Sequence, residues 1–237
     1  MFLLLVFMIL IDSCKNTTEN KNSILYRNVS EPSKLILEMS LNNSIISDGN
    51  IYTEIEAKVI DKTDYTTILI NDGSITVNNI KMRIIENSVA YKITDETVEV
   101  KPNTKYTFKI TLSDRTNYSA SINTQSKSPA FRSIPISLER GKDLVFKWDT
   151  SSIQDLLFLV FSYRDSIGVQ ITEYNLTLIS SGEYSIPAKI FSWQTDSIKT
   201  LHLMLKSINK TDLNDFASLS SIRSEFKSEE KIVSLYP

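Results

Sequence analysis

The sequence predicts an all-β chain, two tandem antiparallel β-sandwiches, on three observations. Apolar residues recur at every second position through most of the chain. Turn signals such as Asp48-Gly49, Asn71-Asp72-Gly73 and Pro102-Asn103 cut these runs short. No stretch between residues 35 and 124 carries the 3.6-residue period of a helix. Many short strands separated by turn residues are the pattern of a sandwich.

The first strand is set by Leu35, Leu37, Met39 and Leu41 alternating with Ile36, Glu38 and Ser40. After Asp48-Gly49, Ile51, Thr53, Ile55, Ala57 and Val59 face one way and Tyr52, Glu54, Glu56 and Lys58 the other, as in a half-buried antiparallel strand. Tyr65–Ile70 and Ser74–Val77 flank Asn71-Asp72-Gly73, where Asp-Gly favours a tight hairpin. Strands are then expected at Ile80–Glu86, Val89–Thr94, Thr97–Val100, Lys105–Leu112 and Thr116–Thr124. The polar segment Thr124-Gln125-Ser126-Lys127-Ser128-Pro129 lacks alternation and ends in proline, which makes it the expected domain boundary. Beyond it come Ile134–Leu138, Asp143–Asp149 and Leu156–Tyr163, the last so apolar that it should be covered on both faces. Val169–Ile179, Tyr184–Ile186, Ile190–Trp193, Leu201–Ile208, Ile222–Phe226 and Ile232–Tyr236 complete the second set. Asn209–Ser221 is expected to be a loop or one short helix. The division is therefore residues 1–13 as a signal peptide, 14–33 as a tether, 34–126 as the first sandwich and 127–237 as the second.

The N-terminus carries a different signal. The apolar run Phe2–Ile11 is about half the length that spans a bilayer, and fits the core of an export signal. It ends in Ile11-Asp12-Ser13-Cys14, which resembles a bacterial lipoprotein signal, with Ile11 and Ser13 ahead of the cysteine. That resemblance implies that Cys14 is lipidated and becomes the new N-terminus. Lys15–Ser33 is rich in Asn, Lys, Thr and Ser, too polar to offset its ordering entropy, and reads as a flexible tether.

Composition removes several classes of function. A formal net charge of −2 lacks the basic excess of a nucleic-acid binder, so no nucleic acid is expected as a partner. Cys14 is the single cysteine and His202 the single histidine, so no internal disulfide can form and ordinary zinc sites are nearly excluded. Five scattered glycines form no phosphate-binding loop. The chain calls for no cofactor and no metal.

The segment Gly141-Lys142-Asp143-Leu144-Val145-Phe146-Lys147-Trp148-Asp149 resembles the early strand of fibronectin type III and related Ig-like domains, which leads to a buried tryptophan. Tyr106-Thr107-Phe108-Lys109-Ile110 followed by Tyr118-Ser119-Ala120-Ser121-Ile122 is similar to the closing hairpin of Ig-like modules in Bacteroidetes-type lipoproteins. Gly182-Glu183-Tyr184-Ser185-Ile186-Pro187-Ala188 resembles segments of the same proteins. This resemblance implies Ig-like or fibronectin III-like sandwiches at a cell envelope and carries no catalytic residue.

Candidate chemistry is sparse. His202 alternates out of phase with Leu201, Leu203 and Leu205 and is expected to be exposed; no Gly-x-Ser-x-Gly segment supplies it with a nucleophile. Glu54 and Glu56 share a strand face about 7 Å apart, a separation found in some glycosidases, but adjacent carboxylates on one strand are ordinarily a solvated surface. Asp143, Asp149, Asp155 and Asp165 lack the spacing of a calcium loop. Trp148 is expected in the core. Trp193, Tyr163, Tyr174 and Tyr184 fall at strand ends or edges, where flat rings could stack on sugars. No catalytic set emerges. The expectation is a non-enzymatic, membrane-anchored envelope protein, in the outer membrane, that binds a protein partner. A carbohydrate-binding lipoprotein using those aromatics is the second reading, and a hydrolase with dispersed carboxylates the third.

Overall fold

The computed structural model of the chain describes residues 26–46, 49–93, 98–149, 156–165, 170–178, 182–188 and 198–237. The expected signal segment, Cys14, the expected tether up to residue 25 and the expected strand Ile190–Trp193 lie outside the described residues.

These residues form β1 (Tyr26–Arg27), β2 (Leu35–Ile45), β3 (Ile51–Asp61), β4 (Thr67–Ile70), β5 (Ser74–Val77), β6 (Ile80–Lys81), β7 (Arg83–Ile85), β8 (Ala90–Ile93), β9 (Lys105–Thr111) and β10 (Asn117–Asn123). The second half adds β11 (Phe131–Ser133), β12 (Ser137–Glu139), β13 (Leu144–Trp148), β14 (Leu156–Asp165), β15 (Gln170–Leu178), β16 (Glu183–Ile186), β17 (Ile198–Asp212), β18 (Ser221–Lys227) and β19 (Lys231–Tyr236). Among the described residues there is no α-helix, and none long and apolar enough to cross a membrane. The protein is all-β and built of sandwiches.

A single 12-stranded sheet runs β1-β4-β3-β2-β18-β17-β14-β15, with β7, β8, β12 and β19 pairing beside that path. A four-stranded sheet, β10-β9-β5-β6, and a three-stranded sheet, β11-β13-β16, complete the structure. Most pairings are antiparallel; β1–β4, β12–β19 and β18–β2 are parallel. The first core packs Leu37, Met39, Leu41, Ile55 and Val59 of the large sheet with Ile75, Phe108 and Ile110 of the four-stranded sheet. The second packs Leu159, Leu201, Leu203 and Leu205 with Leu144, Phe146 and Trp148. Each fully buried side chain of this size contributes about 1.5–3 kcal/mol.

Both cores lie on the same face of the large sheet. Along β17, Leu201, Leu203 and Leu205 belong to the second core, and Ser207 continues their side of the strand. Ser207 pairs with Phe226, Thr211 with Ile222, and Ile222 with Met39, all placing first-core residues on that same side. Core membership accordingly crosses the 126/127 division: Leu213, Phe216, Ile222 and Phe226 complete the first core. The 15-residue β17 belongs to both halves.

Several local expectations change. Ile80–Glu86 is not one strand: Met82 turns inward and is buried, so β6 joins the small sheet and β7 the large one. Thr97–Val100 was expected as a strand, yet residues 98–100 carry none; Val100 instead takes a bond from the Asn43 amide (2.6 Å) and gives one to Thr53 Oγ1 (3.4 Å). Tyr65 is a turn residue with φ of 57°, not a strand start. Residues 209–212 extend β17, so only 213–220 form the connection. Leu157 and Leu159 of β14 are buried in the second core; on the opposite face Val160 is buried and Phe158 half-buried.

The expected boundary is exposed at Ser126 and Lys127 and buried on either side of them. Thr124, Gln125 and Pro129 are buried, Gln125 completely. Its Nε2 donates to the carbonyls of Ser207 (3.0 Å) and Ser224 (2.8 Å), and Ser224 Oγ donates to its Oε1 (2.7 Å). The polar segment between the halves thus pins itself over the β17–β18 seam where the cores meet.

Candidate binding surface

The two outward faces of the first sandwich differ in how they handle charge. On the large sheet, Lys92 Nζ lies 2.8 Å from Glu54 and 2.6 Å from Glu56, and Lys58 lies 3.1 Å from Glu56. Further along, Glu225 is shared by Arg223 and by Lys227 (3.1 Å). Burial alone would raise the Glu56 carboxyl; the bonds from Lys92 and Lys58 outweigh it and hold it below the usual carboxylate range. The Glu54 and Glu56 carboxylates, paired on a flat face, are ion-pair partners and do not converge in a cleft.

The four-stranded sheet presents the opposite case. In β9, Tyr106, Phe108 and Ile110 go into the core while Lys105, Thr107, Lys109 and Thr111 point out. In β10 the outward set is Asn117, Ser119, Ser121 and Asn123, brought opposite β9 by the pairing of Ser119 with Lys109 and Ser121 with Thr107. Thr76 of β5 pairs with Lys109 on one side and Lys81 on the other. Asn78 and Asn79 make the tight β5–β6 turn with φ of 46° and 67°, left-handed values that asparagine tolerates. Asn78 Oδ1 accepts the Thr107 N–H (2.9 Å), which fixes the turn against β9.

These residues enclose a groove of ≈ 540 Å³, lined by Thr76, Asn78, Asn79, Lys105, Thr107, Lys109 and Ser119. Its side chains are hydroxyls, amides and ammonium groups; among the described residues no carboxylate, aromatic or aliphatic side chain lines it. Lys81, Lys105 and Lys109 are exposed and, among the described residues, have no ion-pair partner. Thr107 Oγ1 and Ser121 Oγ bond each other at 2.9 Å, leaving Thr76, Asn79 and Ser119 with free side-chain donors among the described residues. The arrangement can offer hydrogen bonds and positive charge to a polar ligand from a hydrogen-bonded sheet surface.

The residues singled out from the sequence fall elsewhere. Trp193 and Cys14 lie outside the described residues, as do the side chains of Tyr163 and Tyr174, whose backbones sit in β14 and β15. Tyr184 is half-buried and packs on Phe146, ring centroids 6.0 Å apart, in a cluster with Phe131 and Trp148. Trp148 is core, as expected. His202 corrects an expectation: it takes the outward side of β17 but is buried at 7% exposure. The reason is β19, which lies alongside and brings Glu230 Oε2 to 3.0 Å from His202 Nδ1, while Thr200 Oγ1 is 3.2 Å from Nε2. Asp143 Oδ1 accepts the Ala188 N–H at 2.8 Å, a loop-fixing role. Among the described residues no group of three or more His, Cys, Asp or Glu is arranged to hold a metal ion. Sequence reasoning followed the apolar half of the β9 and β10 alternation and passed over the polar half. The signal was there, in Lys105, Thr107 and Lys109 with no acidic residue among them.

No protein family and no curated protein matches this sequence. One similar solved structure is the central fibronectin-III array of RIM-binding protein, 11% identical, with 85% of this chain and 69% of that chain covered at a TM-score of 0.21. The fold assignment rests on the sheets and cores described above.

Proposed function

We propose that this chain is a non-enzymatic binding module, exported and tethered to a cell-envelope membrane through a lipid on Cys14. The observation that carries the binding role is the groove on the four-stranded sheet, whose lysines and the hydroxyls of Thr76 and Ser119 have no partner among the described residues, while on the large sheet Glu54 and Glu56 are paired with Lys92 and Lys58. Protein interfaces are anchored by buried aromatic and apolar side chains. The groove has none, which favours a glycan ligand over the protein partner expected from the sequence. The sugar-stacking role once expected of Tyr184 is weakened by its packing on Phe146. The resemblance to Bacteroidetes-type lipoproteins and the Ile11-Asp12-Ser13-Cys14 ending support placement at the outer membrane.

Two experiments test this reading. A glycan array probed with the acylated protein should return polar saccharides; an empty array together with no partner in a pull-down from detergent-solubilised envelope would end the binding reading. Metabolic labelling with palmitate should mark the parent chain, and Cys14→Ser should lose the label and move to the soluble fraction. Equal labelling of the variant would refute the anchor. Each acyl chain adds about 0.8 kcal/mol per buried CH₂, so loss of the chains should release nearly all the protein.

A further inference from the structure

The groove on the four-stranded sheet is also selective for charge. We infer that its ligand is an acidic polysaccharide, a glycan carrying carboxylates or sulfates, held by Lys105 and Lys109 of the groove and by Lys81, which lies outside the groove lining but opposite Thr76 on the same sheet. This rests on the reading of the chain as a binding module and narrows the ligand class.

The chain as a whole is slightly acidic, with 26 Lys and Arg against 28 Asp and Glu. A random surface patch of such a chain would carry both signs, and the outer face of the large sheet does, ion pair beside ion pair. On the small sheet's outward strand positions there are three lysines and no acid. Unpaired like charges repel, so this clustering opposes folding by a small amount unless an anion neutralises it.

Geometry then selects the kind of anion. Lys105 and Lys109 are four residues apart on one strand, about 13 Å by strand rise. Lys81 and Lys109 flank Thr76 across two strand spacings, about 10 Å. Such separations are too wide for one carboxylate or phosphate to touch all three ammonium groups, and suit an extended chain with anions at intervals. Between the charges stand Thr76, Asn79 and Ser119, whose hydroxyl and amide groups match the hydroxyls of a sugar ring. Single-stranded nucleic acid is held by stacking on aromatic rings, and this groove has none. A lipid surface is gripped by apolar side chains inserted beside the basic ones; the groove lining has none among the described residues, and beside Lys81 only the edge-strand Ile80 is exposed.

The test uses the full acylated chain in detergent and four probes: polygalacturonate, dextran sulfate, uncharged dextran and single-stranded DNA, with phosphatidylserine vesicles as a fifth arm for a detergent-free preparation. The variants are Lys81→Gln/Lys105→Gln/Lys109→Gln and a charge-matched control, Lys62→Gln/Lys142→Gln/Lys199→Gln, drawn from exposed lysines elsewhere. Both sets are exposed, and equal melting temperatures check that both fold. The parent should bind polygalacturonate or dextran sulfate more weakly as salt rises, should ignore dextran, and should lose about tenfold in affinity in the groove variant but not in the control. Equal losses in the two variants would overturn the site. Binding of dextran or another uncharged glycan, or of a protein, without binding of either acidic polymer would overturn the charge selectivity while leaving the binding module standing. DNA or vesicles binding as tightly as the acidic glycans, through the same lysines, would overturn the polysaccharide assignment.

Discussion

Gln125→Glu is expected to destabilise the protein by about 4 kcal/mol at pH 7. The wild-type amide donates to the Ser207 and Ser224 carbonyls from a fully buried position. A carboxylate there would face those two carbonyl oxygens with no donor for them and no water to solvate its charge. Burial raises such a carboxyl above its unfolded value of about 4.3. The sign follows: well below the unfolded value the variant group is neutral in both states and can still donate one bond, so the loss is least there and reflects the one carbonyl left unpaired. As pH rises through the unfolded value and toward the raised folded one, the loss grows, and it is complete at neutral pH. Gln125→Leu keeps the volume, leaves the three hydrogen bonds unmade and should cost about 3 kcal/mol at every pH. Urea midpoints of parent and both variants at pH 4 and pH 7 separate the two behaviours. A Gln125→Glu variant as stable as its parent at neutral pH would show that the seam is open to water.

Gly73→Ala is expected to cost about 3 kcal/mol, for a reason the hairpin signal does not contain. The positive φ at the turn is carried by Asp72, at 53°, and not by the glycine. Gly73 is required for space. A Cβ there would sit 2.4 Å from Ile70 Cγ2 and 2.6 Å from the Thr111 carbonyl oxygen. The second contact is backbone of β9 and cannot rotate away, so β5 would be pushed off its neighbour. Gly49→Ala is the natural control: among the described residues nothing lies within 4 Å of its Cβ, and its φ of 80° is what opposes the change. That conformation costs an alanine about 1–2 kcal/mol. Urea denaturation should rank Gly73→Ala as the more damaging variant, and the reverse order would place the close approach of β5 and β9 in doubt. Because β9 carries Lys105 and Lys109, Gly73→Ala should also weaken any ligand held in the groove.

Strand positions were legible where one face is wet and the other dry. β2, β3, β9, β10 and β13 follow the alternation because each has one face on a core and one in solvent. Alternation is blind to which strand pairs with which. The parallel pairing of β18 with β2 joins residues such as Ile222 and Met39 from opposite ends of the chain, and no local signal marks it. It is this pairing that makes one sheet serve both sandwiches. Polar composition misled at Gln125, since three hydrogen bonds bury a side chain that composition alone places outside. Met82 was hidden for a similar reason: its inward turn serves a strand crossing from one sheet to another. The lysine groove was half legible. The spacing of Lys105, Thr107 and Lys109 could be read from the sequence, but the arrival of Thr76 and Lys81 alongside depends on the β5–β9 and β5–β6 registers.

The claim on which the functional account stands is that ligand is held on the outward face of β5, β6, β9 and β10. Hydrogen–deuterium exchange of the full-length chain, with and without polygalacturonate, tests it most directly. The account predicts slowed exchange in peptides covering residues 74–81 and 105–123, with β14, β17 and β19 unchanged. Protection confined to the outer face of the large sheet or to β11, β13 and β16, with 105–123 unaffected, would contradict it.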